Sequence, residues 1–148
     1  MDNSQEYILM CERSKEIQEG RFGSLEGWEN NDFYYFYNYR DMISTYKNGH
    51  GVHTGKKPEI HKKNRGKYAC SGQIWLPRQD QLQDLILGIC KYQRPTIATL
   101  INDFRNWMFE KNSDAYKYNS IDKLWLCYYM KFMHNKKWNG KYWIAKKK

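Results

Sequence analysis

Between Thr96 and Lys111, Ile97, Leu100, Ile101, Phe104, Trp107 and Met108 recur at helical spacing. That recurrence predicts an amphipathic helix, with Pro95 at its start. Leu82, Leu85, Ile86 and Ile89 form a second stripe behind Pro77, which predicts a helix opened by the proline and favoured by Asp80 in its first turn. From Ile121 to His134 apolar residues fall on nearly every face, so this segment is expected to be the central core helix. Ser120 caps it, Asp122 lies in its first turn, and Lys131 and His134 lie in its last. Tyr7, Met10, Cys11 and Ile17 predict one further helix from about Ser4 to Glu19, stopped by Gly20, with Glu12, Lys15, Glu16 and Glu19 on a solvated face.

The period shortens to two in Asp32–Tyr39, an aromatic run that predicts a strand needing cover on both faces, hence central or flanked by helices. Asn38–Asp41 supplies turn chemistry and Met42–Tyr46 a return strand. Lys67–Trp75 reads as another strand, with Gly72 as a possible bulge. Asn139-Gly140 marks a turn before a short closing strand at Tyr142–Ala145. Between them, residues 47–67 carry almost no apolar side chain and predict a flexible basic loop or a protruding hairpin. The order of elements predicts a single α+β domain, a small antiparallel sheet packed with about four helices.

Composition sharpens this picture in two ways. The chain has 148 residues with 13 Tyr, 6 Trp and 6 Phe, enough aromatic surface to argue against disorder. Its net charge of +9 is unevenly spread. Met1–Ile43 holds 4 basic and 9 acidic residues, Ser44–Tyr68 holds 7 and 1, and Lys131–Lys148 holds 7 basic residues and no acid. Such basic segments steer polyanions or acidic protein surfaces toward themselves. No apolar run approaches the roughly 20 residues of a membrane span, and Met1–Glu6 has neither the basic nor the apolar region of a signal peptide. A cytoplasmic protein is therefore expected. Cys11, Cys70, Cys90 and Cys127 are far apart among apolar neighbours and read as free buried thiols.

Three stretches, Met10–Gln18 (MCERSKEIQ), Ile74–Gln83 (IWLPRQDQLQ) and Leu124–Lys131 (LWLCYYMK) followed by Lys137–Ile144 (KWNGKYWI), occur in an order and spacing similar to small phage and prophage proteins of Gram-positive anaerobes. The resemblance implies origin in a mobile element and activity in the cytoplasm of its host. It implies no catalytic residues.

Candidate chemistry is sparse. His50, His53 and His61 with Cys70 are a conceivable zinc set, but the pattern lacks the two spaced ligand pairs of structural zinc sites. With Asn64 and Glu59 the same histidines outline a metal-dependent nuclease, again short of metal-binding carboxylates. A solvated loop is the simpler reading, and no metal, cofactor or catalytic residue is assigned. The candidate binding residues are Lys47, Lys56, Lys57, Lys62, Lys63, Arg65 and Lys67 in the loop and Lys136, Lys137 and Lys141 near the end of the chain. Lysines in this excess attract phosphate as point charges and do not read bases. Trp138, Tyr142 and Trp143 interleave with the second group and offer either base stacking or core closure, with core favoured for the two tryptophans. The expected function is a non-enzymatic phage interaction protein, such as an anti-CRISPR-like inhibitor, that binds a host nucleoprotein or nucleic acid. The alternatives are the nuclease and a virion assembly protein.

Overall fold

A computed structural model describes residues 1–22, 33–36, 42–47, 50–53, 73–89, 96–111 and 113–145. The fold is α+β. Its contacts divide into two compact units, neither of them one continuous stretch. Asn3–Pro77 with Asn139–Trp143 makes a sheet unit, and Met1–Asp2, Arg78–Trp138 and Ile144–Lys148 make a helical unit.

In the sheet unit, α1 (Gln5–Glu12) and α2 (Lys15–Phe22) precede four antiparallel strands, β1 (Phe33–Phe36), β2 (Met42–Lys47), β3 (His50–His53) and β4 (Gln73–Leu76), in the spatial order β3-β2-β1-β4. The aromatic strand β1 is central, as its two-sided aromatic pattern requires. Tyr35 is fully buried and lies in register between Ile43 and Ile74. The basic segment opens as a hairpin, because β3 pairs with β2 from Ser44↔His53 to Lys47↔His50. Lys56 to Lys67 lie outside the described residues, as do the expected turn at 38–41 and the start of the strand expected at 67–75.

The single helix expected over 4–19 is two. Ser4 caps the first, its Oγ accepting from the Tyr7 N–H. At the break, the Ser14 hydroxyl donates to the Met10 carbonyl, while the Ser14 carbonyl accepts from the N–H groups of Ile17 and Gln18 to start the second helix. Serine competes for backbone groups in this way, which is why it ends and begins helices. Glu12, expected on the solvated side, is 4% exposed. Gly20 does not stop α2, which runs to Phe22.

Buried between these helices and the sheet is the amide of Gln18, itself 1% exposed. Its Oε1 accepts from the Trp75 N–H at 2.9 Å, and its Nε2 donates to the Trp75 carbonyl at 3.0 Å and to the Cys11 carbonyl at 3.1 Å. The outer edge of β4 is thereby paired by a side chain. Nearby, the Tyr7 hydroxyl donates to the Pro77 carbonyl and the Trp143 indole N–H to the Met10 carbonyl.

The helical unit contains α3 (Gln79–Ile89), α4 (Ile97–Met108), a 3-10 turn at Ala115–Lys117 and α5 (Ile121–His134). Helix α3 starts two residues later than its proline suggests, because the Gln81 side chain caps the Arg78 N–H and the Arg78 carbonyl takes the first helical bond, from Leu82. Leu82, Ile86, Leu100, Phe104 and Trp107 are buried, as are residues Trp125 to Met130 of α5. Phe104 stacks on Trp125, with ring centroids 4.0 Å apart and planes 6° from parallel. The α4 stripe is narrower than predicted, with Ile97 and Ile101 47% and 50% exposed. At the start of α5 the buried Asp122 carboxylate accepts from the N–H of Gln79 at 3.0 Å and of Asp2 at 2.6 Å, tying two helix starts together. Asn135 ends α5 in the left-handed conformation, φ 51°. Asn tolerates that region better than other non-glycine residues. The strands β5 (Lys136–Trp138), unforeseen in the sequence, and β6 (Trp143–Ala145) form a two-stranded sheet.

Replacing Gln18 by leucine keeps its volume but strands the N–H and C=O of Trp75, while the Cys11 carbonyl keeps its bond from the Ser14 N–H. Each buried orphan costs ~1–3 kcal/mol, so Gln18→Leu is expected to lower the stability measured by urea unfolding by ~2 kcal/mol or more, a loss that simple core repacking would not give.

Candidate partner interface

The C-terminal candidates are distributed over both units. In the helical unit, Lys136 and Lys137 leave α5 along β5 and meet the residues before the 3-10 turn. Lys137 Nζ lies 3.0 Å from Asp114 Oδ2, and Lys117 Nζ lies 2.6 Å from Oδ1 of the same carboxylate. The hydrogen bond from Lys117 holds the Asp114 carboxyl below the usual aspartate range. Partial burial opposes this, and Lys137 reinforces it. Lys137 is therefore ion-paired in the folded protein. Lys136, Lys137 and Asp114 line a cavity of about 20 Å³ with Cys127 and Trp138, room for one water and no ligand.

In the sheet unit, Asn139 builds the turn predicted from Asn139-Gly140. Its Oδ1 accepts from the N–H groups of Lys141 and Tyr142, and Gly140 takes φ 93°, a conformation that favours glycine. Lys141 is exposed on that turn with Nζ 5.5 Å from the Tyr142 ring centroid, and the Arg13 guanidinium lies 5.2 Å from the same ring. Trp138 and Trp143 are buried, as expected, whereas Tyr142 is 43% exposed. Of the three interleaved aromatics, Tyr142 is the one placed to meet a partner. Arg13 was not foreseen beside it, since nothing in the sequence relates the α1–α2 junction to residue 142.

Among the loop candidates, Lys47 is the last residue of β2 and His50 and His53 bound β3, while Lys56, Lys57, Lys62, Lys63, Arg65 and Lys67, with His61 and Cys70, lie outside the described residues. Among the described residues no three His, Cys, Asp or Glu side chains converge on a possible metal position, and no helix is long and apolar enough to cross a membrane. Cys11 and Cys127 are buried.

A larger feature went unrecognised in the sequence. Between α4 and α5 runs an open groove of about 400 Å³, lined by Asp103, Asn106, Trp107, Glu110, Tyr128, Lys131 and Phe132. Phe132 is 52% exposed and stacks on Tyr128, with centroids 5.7 Å apart and planes 18° from parallel. Lys131 Nζ lies 2.5 Å from Glu110 Oε2 and 5.9 Å from the Trp107 ring centroid. Helical spacing alone marks Phe132 as one more apolar residue of an apolar helix, so its exposure emerges only once α4 is in place.

The lowered carboxyl of Asp114 means that its ion pairs stabilise the fold above the ordinary aspartate pKa of about 3.9 and that this contribution disappears as pH falls through the lower folded value. Asp114→Asn is therefore expected to lower the urea midpoint at pH 7 and to shrink the further drop between pH 5 and pH 2 relative to the wild type. An equal acid drop in both proteins would show that Asp114 contributes nothing to it.

No family model, curated protein or solved structure matches this chain.

Proposed function

We propose that this chain is a non-enzymatic interaction protein of a phage or prophage that engages a host nucleoprotein through its nucleic acid, in the manner of an anti-CRISPR-like inhibitor. The observation that carries this reading is the segregation of charge. Residues 44–68 hold 7 basic residues against 1 acidic, and residues 131–148 hold 7 against none, in a chain whose first 43 residues are net acidic. Long-range attraction of this kind brings phosphate backbones to a protein without sequence preference. The exposed Tyr142 ring, with Arg13 and Lys141 near it, supports the same reading, because aromatic rings beside cations accept stacked bases. The phage origin rests on the resemblance of the Met10–Gln18, Ile74–Gln83 and Leu124–Ile144 stretches.

The test is binding of the purified protein to labelled generic DNA and RNA across a salt series, beside a variant in which Lys56, Lys57, Lys62 and Lys63 are changed to glutamate. Four phosphate contacts give a logarithmic salt slope of about −3.6, so affinity is expected to fall by roughly a hundredfold between about 50 and 200 mM salt. The variant should bind at least about tenfold more weakly. Absence of binding at the lowest salt, or full binding by the variant, would contradict the proposal.

A further inference from the structure

The groove between α4 and α5 has a chemistry opposite to that of the basic segments. Its apolar walls are the aromatic rings of Trp107, Tyr128 and Phe132, and two carboxylates, Asp103 and Glu110, stand on it. Among the described residues Lys131 is its one lining cation, and it is engaged by Glu110. A phosphate backbone would meet net negative charge here, and a purely apolar partner would bury the Asp103 carboxylate without compensation. A cation that is also flat and weakly hydrated satisfies both the rings and the acid.

The protein already contains an example of such recognition. The Lys131 ammonium lies against Glu110 and over the Trp107 ring, a carboxylate and an aromatic face taken together. Asp103 and the half-exposed Phe132 repeat that pair of groups in the same groove, and Asp103 makes no hydrogen bond or ion pair among the described residues. We propose that this groove is a docking site for an exposed arginine side chain of a partner protein, its guanidinium lying on the Phe132–Tyr128 stack and donating to Asp103. Lysine fits less well, because its ammonium cannot stack flat on Phe132 and remains more strongly hydrated. The site does not depend on nucleic-acid binding. It provides a protein contact for a molecule whose basic segments contact phosphate.

Nuclear magnetic resonance of the isotopically labelled full chain tests this directly, with a blocked pentapeptide of four glycines around one arginine as the probe. Its neutral isostere, with citrulline in place of arginine, is the control. The arginine peptide is expected to shift amides within 103–110 and 128–132, and the citrulline peptide to leave them unmoved. Asp103→Asn and Phe132→Ala should each weaken the arginine peptide by about threefold, the scale of an exposed cation–aromatic or ion-pair contact. Both side chains are solvent-exposed, so the variants should retain the wild-type spectrum elsewhere. Glutamate at Lys56, Lys57, Lys62 and Lys63 should leave the peptide affinity within twofold of wild type, which separates this site from the nucleic-acid reading. Equal shifts from both peptides, shifts confined to other residues, or undiminished binding by both groove variants would overturn the assignment.

Discussion

The amide of Gln18 does for the outer edge of β4 what a neighbouring strand would otherwise do. A strand edge offers its N–H and C=O in alternation, and once helices cover that edge water can no longer pair them. Trp75 is the residue whose backbone faces this problem, and Gln18 meets its N–H and C=O together. A side-chain amide carries both an acceptor and donors, as this pairing requires, and the second donor of Gln18 reaches the Cys11 carbonyl near the end of α1. The break between α1 and α2 at Ser14 and the covering of the sheet edge are thus parts of one arrangement. It fixes where α1 carries Arg13, and so which cation stands beside Tyr142.

The helical unit relies on a different device. Its core is a set of rings from α4 and α5, among which Phe104 stacks on Trp125 and meets Tyr128 edge-on, 88° between planes. Apolar packing of this kind fixes distance but leaves helix register loosely defined, whereas the Asp122 carboxylate, accepting from the start of α3, sets it. The same ring stack continues outward to Phe132 and becomes surface. The groove is therefore the exposed end of the core.

Much of this architecture was legible in the sequence where one local pattern decides the outcome. Helices α4 and α5 with the Ser120 cap, the central aromatic strand and its return, the Asn139-Gly140 turn and the burial of Trp138 and Trp143 all follow from spacing and residue type. What escaped depends on partners distant along the chain. The apolar positions from Tyr7 to Ile17 continue smoothly through Ser14, so periodicity does not reveal the helix break. Gln18 looks like an ordinary surface residue until Trp75 is beside it. The lysines were identifiable from charge alone, but whether a lysine is available to a partner is decided elsewhere, for Lys137 by Asp114. Asp103 and Phe132 lie on different helices, far apart along the chain, and neither belongs to a recognisable motif.

On the reading advanced above, the molecule presents two kinds of contact, basic segments for phosphate and an acidic aromatic groove for a cationic side chain, which together suit a partner made of nucleic acid and protein. Hydrogen exchange of the full chain at low salt, with and without a generic RNA duplex, tests the central claim most directly because it reports position as well as binding. The account predicts slowed exchange in peptides covering residues 44–68 and 136–145, with those covering 103–110 and 128–132 unchanged. Protection confined to the α4–α5 groove, or none at all, would contradict it.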